Sequence, residues 1–249
     1  MSLISVIMAT DRITDYLIPS VKSILDQTYN NIELIIVCNG NDRNSVQDFL
    51  KKKFNDKRLI ILTTKIRQLS SSLNLALNHA NGELIARMDA DDISIKQRLE
   101  IQLKILKEKK LDLLGSFLEL INEDGKNIGF RPYPIDKEID NNIYFKNPFA
   151  HNTILCKKKI LIDVRGYLGG FNTEDYDLWL RLKKTKIKWN NCQDFLVKYR
   201  IHNASSQRKT LSYSEAAAHV YREFLLNPSI KLFIAFLYNA IKKFILSVR

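Results

Sequence analysis

Cysteine is scarce in this chain, and the three present, Cys38, Cys156 and Cys192, are odd in number and show no CxxC spacing. That pattern argues against a disulfide framework and against a zinc site, and it fits a reducing compartment. Long apolar runs are missing too. The longest uncharged one, 232–241, is about half of the ~20 residues that a helix needs to span a bilayer. No basic n-region with a cleavage site precedes the first apolar run, so no secretory signal is expected. Neither an internal repeat nor a low-complexity segment is visible. Acids are outnumbered: 27 Asp and Glu stand against 39 Lys and Arg, for a net charge of +12. Between 207 and 249 seven basic residues meet two Glu, so this tail alone carries +5. Such a surplus implies anionic partners, whether nucleic acid, acidic lipid or phosphorylated substrates. Nucleic acid is not expected, because no helix-turn-helix, zinc finger or aromatic-interleaved basic strand accompanies the charge.

What is present reads as a globular α/β protein. At 249 residues and 45% hydrophobic content the chain can bury a core for one large domain or two small ones. Apolar strands at 3–8, 33–37, 59–62 and 83–88 alternate with helices at 17–27, 45–54 and 72–80, the first with Asp15 as a candidate cap. Alternation of this kind means βαβ units, a parallel sheet and right-handed crossovers. Ligands of such sheets bind beyond the carboxyl ends of the strands, where Thr10, Asn39 and the acids at 89–92 fall. After residue 111 the pattern turns mixed. A strand at 113–121 leads through a turn at 122–125 to a hairpin partner near 128–130. A strand at 153–156, a short helix at 158–164 and a glycine-rich loop at 165–172 follow. Glu174-Asp175 then opens a helix carrying Leu178, Trp179 and Leu182, before a strand at 195–201.

Met88-Asp89-Ala90-Asp91-Asp92 is the stretch around which this order is arranged. If the strand before it continues extended, Asp89 and Asp91 face one side of the backbone. Two such carboxylates repel unless a cation or hydrogen-bond donors lie between them. A hard, oxygen-preferring ion, Mg²⁺ or Mn²⁺, suits the pair and commonly also holds substrate phosphate. The alternative is that the acids only start the next helix, at 96–110, with Ser94 and Gln97 as its capping box.

A series of anchors resembles one family. They are Ser5-Val6-Ile7-Met8, Ser23-Ile24-Leu25-Asp26-Gln27-Thr28, Ala86-Arg87 with the acidic stretch, and His151-Asn152-Thr153. Further on come Gly169-Gly170-Phe171, the run from Thr173 to Arg181, and Tyr199-Arg200-Ile201-His202. In this order they resemble the family 2 glycosyltransferases of bacterial surface-polysaccharide synthesis, inverting enzymes with the GT-A fold. The resemblance covers about 5–207. It implies a Rossmann-like, mostly parallel central sheet flanked by helices, with a mixed second half and C-terminal helices. It divides the chain into a catalytic domain at 1–206, with a nucleotide-binding half at 1–110 and an acceptor-side half at 111–206, and a helical segment at 207–249.

The resemblance also implies roles. Asp89-Ala90-Asp91 matches the DxD motif, with Asp89 on the ribose or the metal and Asp91 on the ion that binds the diphosphate; Asp92 is an alternative ligand. Asp175 matches the general base and Glu174 its neighbour. Thr10 and Asn39 fall at nucleoside positions, Arg67 in a region that meets the nucleotide, and His202 near the metal or diphosphate. The chain departs from the pattern at Cys38-Asn39-Gly40, where Asp-Asp-Gly is usual. Asn39 still offers both donor and acceptor to a uracil edge. Further departures are Thr10-Asp11-Arg12, where Tyr-Asn is frequent, and Gln68, where glycine is common.

The expected activity is therefore transfer of a sugar from a nucleotide-sugar, UDP-linked above all, to a hydroxyl of a polyprenyl-linked or oligosaccharide acceptor, with Mn²⁺ or Mg²⁺. Two rival classes remain: a non-catalytic basic module for membrane or nucleic acid, and a nucleotidyltransferase, which also needs Asp pairs and metal. The late Glu174-Asp175 helix start favours glycosyl transfer. Thr173 could cap that helix. His151 reads as a loop residue or a shaper of the acceptor side, and His79 and His219 as structural or solvated. In the tail, Asn227-Pro228-Ser229 signals a helix start. Lys231, Asn239, Lys242, Lys243 and Arg249 then form a polar face opposite Leu232, Phe233, Phe236, Leu237, Ile241, Phe244, Ile245 and Val248. Two readings stand for that helix: packing on the catalytic domain, or lying on the anionic cytoplasmic leaflet, which makes the protein cytoplasmic and peripheral on the membrane.

Overall fold

The computed structural model describes residues 2–170, 172–202 and 210–247. The first half runs β1 (Ile4–Thr10), α1 (Leu17–Leu25), β2 (Ile32–Asn39), α2 (Arg43–Lys53), β3 (Leu59–Thr64), α3 (Leu69–His79) and β4 (Leu84–Arg87). Then come β5 (Ile93–Ser94), α4 (Arg98–Glu108), β6 (Leu113–Ile121), β7 (Asn127–Arg131) and α5 (Lys137–Asn142). A 3-10 turn at His151–Thr153 precedes β8 (Leu155–Lys157), α6 (Lys158–Asp163), α7 (Glu174–Lys183), β9 (Trp189–Arg200), α8 (Thr210–Leu226) and α9 (Ile230–Ser247).

One sheet holds all nine strands of the described residues, in the order β3-β2-β1-β4-β8-β6-β9-β5 with β7 paired to β6. Strands β3, β2, β1 and β4 run parallel. β8 opposes both β4 and β6, so β6 runs with β4, and β9 runs parallel to β6. The mostly parallel, two-faced sheet expected of the GT-A fold is what the chain forms. Because β5 pairs with β9 and β4 with β8, the sheet crosses position 110 without a break.

The strands are apolar on both faces because helices cover both. Ile7, Ile35, Val37 and Ile85 pack on one side with α3, α6, α7 and the C-terminal helices. Val6, Met8, Leu34, Ile36 and Cys38 pack on the other with α1, α2 and α4. All three cysteines are buried and unpaired. At the entry edge Glu33 accepts from Ser5 Oγ (2.5 Å), Asn81 N (2.6 Å) and Gly82 N (3.3 Å). A Cβ on Gly82 would lie 2.6 Å from Leu3 O, so only glycine allows the strands to meet this network.

Several expectations are corrected. The acids at 89–92 are not brought together by the pleat, since β4 ends at Arg87 and Ala90-Asp91 form a turn. Ser94 does not cap a helix; it belongs to β5, and its hydroxyl accepts from Gln27 Nε2 at 3.1 Å. Gln27 supplies the cap instead, its Oε1 accepting from Leu99 N at 3.0 Å in the first turn of α4. Asp15 and Thr173 make no side-chain cap either; Tyr16 and Thr173 stand at the cap positions, and the Thr173 hydroxyl donates to Glu215 at 3.0 Å. The last long strand begins at Trp189, six residues before the expected 195, and α5 was not foreseen.

The tail forms an antiparallel helical pair against the domain, with Tyr221 on Phe236 at 5.0 Å between ring centres. Ser229 Oγ accepts from Leu232 N at 3.2 Å, the helix start expected there. The orientation of α9 reverses the expectation for its polar side. Asn239 is buried and donates to Tyr144 O (2.9 Å), and Lys242 donates to Phe145 O (3.3 Å). Leu232 and Ala235 join the main core. Ile230, Phe233, Ile234, Leu237 and Ile241 face outward instead, beside Leu225 and Leu226 of α8. Polar groups are drawn inward because the carbonyls of 144 and 145, at a broken helix end, need donors. The side chains of Lys243, Phe244 and Ile245, and all of Val248 and Arg249, lie outside the described residues, as does Phe171. Among the described residues no helix is long and apolar enough to cross a membrane.

Candidate active site

Three cavities run in series along the carboxyl edge of the sheet. The first, about 620 Å³, is lined by Thr10, Asn39, Arg67, Asp89, Ala90, Asp91 and His202 among others. Every residue expected on the nucleotide or metal side, apart from the alternative ligand Asp92, thus lines one space. The middle cavity, about 250 Å³, shares Leu69, Asp89 and Asn172 with the first and adds Arg87, His151, Glu174 and Asp175. The outer one, about 240 Å³, shares Asn147, Asn172 and Asp175 with the middle and opens between α7 and the tail helices. Asp175 therefore borders the second and third spaces, and Asn172 lines all three.

At the first cavity, carboxylate oxygens of Asp89, Asp91 and Asp92 lie within 4.8 Å of one another. The three acids differ in what they can still do. Asp92 is fully buried, and both its oxygens are taken, one by Arg200 N at 2.8 Å and the other by the Asn152 amide. Asp89 and Asp91 are about a third exposed. Asp89 accepts from Arg87 Nη2 at 2.6 Å, and Asp91 meets His202 Nε2 at 2.8 Å. Burial first, then the neighbouring Asp89 charge, push the Asp91 carboxyl above the usual carboxylate range. Two half-exposed carboxylates beside an imidazole, repelling each other and open to one cavity, are a donor set that fits a hard divalent ion.

The walls of this cavity are shaped by polar contacts. Asn39 donates to Ser72 Oγ at 2.9 Å, while its own Oδ1 is buried without a partner among the described residues. Gly40, at φ +78°, makes room for the Arg67 stem, whose Cγ would lie 3.3 Å from an added Cβ. Arg67 and Arg12 both donate to Asp11, and the Arg12 hydrogen bond leads in holding that carboxyl down at about 2. The Arg200 guanidinium stacks 4.2 Å over the Tyr16 ring, and Tyr16 stacks on His202 in turn.

The middle cavity is more buried. Arg87 is 1% exposed, and its Nε and Nη1 find no partner among the described residues. A charged side chain sealed in this way ordinarily has its donors filled, so the free ones mark a place for ligand oxygens. Its carbonyl is held from behind by Arg98 Nη2 at 2.9 Å. Burial, then the Asp175 charge, raise the Glu174 carboxyl. The His151 ring approaches Glu174 to 3.9 Å, but burial and the Arg87 charge keep the imidazole neutral, so this is no ion pair.

Asp175 sits in the first turn of α7. Its Oδ1 accepts from Tyr176 N at 2.7 Å and its Oδ2 from Asn147 at 2.6 Å. Burial raises its pKa and the Asn147 bond opposes the rise. A half-buried carboxylate with a raised pKa, aimed between two cavities, is suited to take a proton. His219 packs below, against Thr173 and Asp177, and His79 bonds its own helix, so both are structural.

Residues 5–165 match the glycosyl transferase family 2 model. The chain belongs to that family. It is therefore a glycosyltransferase. An O-antigen biosynthesis glycosyltransferase of Escherichia coli, WbnJ, is 43% identical over 98% of both chains. An E. coli UDP-Glc:alpha-D-GlcNAc-diphosphoundecaprenol beta-1,3-glucosyltransferase, WfgD, is 28% identical over 93% of this chain and 90% of its own. Among solved structures, Pyrobaculum calidifontis mannosyltransferase PcManGT in complex with GDP-Man and Mn²⁺ superposes with a TM-score of 0.70 at 16% identity, covering 96% of this chain and 69% of that one. Staphylococcus aureus TarS with UDP gives 0.66 at 18%, over 97% and 72%. These two are similar in fold.

Reading along the chain missed Arg87, Asn147 and Asn172. Arg87 is part of an anchor of the resemblance and a charge inside an apolar strand, but neither gave it a role of its own. Asn147 and Asn172 carry no signal at all, because folding alone brings them to the acids.

Proposed function

We propose that this family 2 glycosyltransferase transfers a sugar from a UDP-sugar, with inversion, to a hydroxyl of a lipid-linked or growing glycan in surface-polysaccharide synthesis. The observation that carries the reading is the series of cavities, with the Asp89/Asp91 pair on the first and Asp175 where the middle and outer ones meet. The first holds the nucleoside diphosphate, the middle the donor sugar, and the outer the acceptor. The unpartnered Oδ1 of Asn39 supports a uracil, whose N3–H it can accept. Thr10, Arg67 and Ala90 would line the nucleotide. Asp89 and Asp91, with His202 beside them, would hold Mn²⁺ or Mg²⁺. When bound, such an ion offsets the charge that develops on the leaving diphosphate.

The chain's own groups do the rest. Asp175 accepts the acceptor proton as the hydroxyl oxygen bonds to the sugar C1, the C1–O bond to the diphosphate breaks, and the nucleoside diphosphate leaves with the electron pair. Placing the base on the far side of the sugar from the leaving group gives a single in-line displacement, hence inversion, the geometry that inverting hydrolases also use. Glu174 borders the middle cavity but not the outer one, which suits a place beside the donor sugar and not the role of base. The names of the E. coli relatives support a diphospho-polyprenol acceptor. The catalytic domain would be 1–206, and 207–249 the segment that meets the membrane, through the outward apolar row of α9. A radiolabelled UDP-sugar screen against a synthetic GlcNAc-diphospho-lipid, with and without EDTA, tests the reading. Metal-independent transfer, or none from any UDP-sugar, would refute it.

A further inference from the structure

Three features of the outer cavity are unused by the chemistry above. Lys146, on the loop after α5, and Lys242, on α9, both line it. Among the described residues neither forms an ion pair, whereas the nearby Lys183 and Lys184 are bound to Asp140 and Glu223 at 2.8 and 2.7 Å. Burial, and then the Lys146 charge, push the Lys242 pKa down, so the two ammonium groups sense each other with no anion between them. Lys242 has one long hydrogen bond, to Phe145 O at 3.3 Å, and its ammonium lies 5.4 Å from the centre of the Tyr238 ring. Ser212, on α8, lines the same cavity, and its buried hydroxyl has no partner among the described residues. Two lysines without a counter-charge and a hydroxyl without a partner, all around one space, are a site prepared for phosphate oxygens.

What such an anion is attached to follows from its surroundings. Inward, the cavity ends on Asp175, where an acceptor hydroxyl has to lie. Outward, Ile241 precedes Lys242 and is half-exposed, and with Leu237 it begins the apolar row of α9. Successive helix positions turn by about 100°, so Lys242 faces the cavity while Ile241 faces away from it. A molecule with a sugar at Asp175 and phosphates at the lysines would therefore send a hydrocarbon tail onto that row.

We propose that Lys146, Lys242 and Ser212 bind the diphosphate of a lipid-linked acceptor whose attacking hydroxyl lies at Asp175 in the same cavity. The site rests on the acceptor-side reading of the outer cavity given above.

Calorimetry with farnesyl diphosphate in EDTA tests the site without the metal or the donor. The wild-type protein should bind it at least tenfold more tightly than farnesol or inorganic pyrophosphate. Lys146→Gln and Lys242→Gln should each weaken it by tenfold or more. UDP with Mn²⁺ should bind wild type and variants alike, which separates failure of this site from failure of the donor reading. Lys146 is exposed, so its variant folds even if loss of the Lys242 contact loosens α9. Unchanged farnesyl diphosphate affinity in Lys146→Gln, or equal binding of farnesol, would overturn the proposal. Equal binding of pyrophosphate would overturn its lipid half.

Discussion

Asn147 donates to Asp175 Oδ2 at 2.6 Å across 28 residues of chain, and so fixes the carboxylate where the middle and outer cavities meet. The bond favours the charged form, and it opposes the rise that burial imposes. Asn147→Ala should therefore raise the Asp175 pKa further. A base works when deprotonated, so the acid limb of kcat/KM should move to higher pH in the variant. An unmoved limb would mean that the contact is only structural. Asn147 is exposed, and the melting temperature should change little.

Asp91 and Asp92 are neighbours with opposite expected phenotypes. Asp91→Ala should cut the affinity for UDP in the presence of Mn²⁺ by tenfold or more, leave metal-free UDP binding alone, and keep the fold. Asp92→Ala should instead destabilise by about 2–3 kcal/mol, because it strands the Arg200 amide and the Asn152 side chain in the interior. Calorimetry and chemical denaturation on both variants check the pair. Equal loss of metal-dependent binding with no loss of stability in Asp92→Ala would exchange their roles.

The parallel half was legible because each strand and helix there is long enough to declare its period. The later half was less so. β5 has two residues and was not expected as a strand, and β8 has three, only partly caught by the strand expected at 153–156; both are held by pairing with distant strands. The acid pair was visible as a motif, but its geometry comes from a turn and not from the pleat. The α9 helix was legible as amphipathic. Its pattern did not say which side meets the protein, since the buried side is set by carbonyls at 144 and 145 that lie almost a hundred residues away.

That orientation alters how the tail is best tested. Removing 228–249 would strip Leu232 and Ala235 from the main core, so truncation should lower stability as well as any membrane affinity. Phe233 packs on Phe224 of α8 at 5.7 Å between ring centres, so the better choice is Ile230, Ile234 and Ile241, each at least half exposed, replaced together by Ser. This triple variant should keep its melting temperature and lose most co-sedimentation with phosphatidylglycerol vesicles. Undiminished sedimentation would remove α9 from the membrane contact.

Glu33 links the sheet edge to pH. Burial works against its charge, but the hydrogen bonds from Ser5, Asn81 and Gly82 outweigh it, and its pKa lies below the ordinary carboxylate value. A depressed carboxyl stabilises the fold above its unfolded pKa and loses that contribution as pH falls through the folded one. Wild type should thus be more stable than Glu33→Gln near neutrality, and the gap should close below about pH 4. Urea denaturation from neutral pH to pH 3 measures it; a gap independent of pH would show that the charge is not involved.

The central claim is that Asp175 takes the acceptor proton while the Asp89/Asp91 end holds the donor. Asp175→Asn keeps the side chain's size and its place at the start of α7. The most direct measurement is single-turnover sugar transfer to the lipid-linked acceptor by this variant, beside its calorimetric affinity for UDP with Mn²⁺. The account predicts unchanged UDP affinity and transfer slower by about 10²–10⁴, the scale of losing a general base. Transfer at close to the wild-type rate would contradict it.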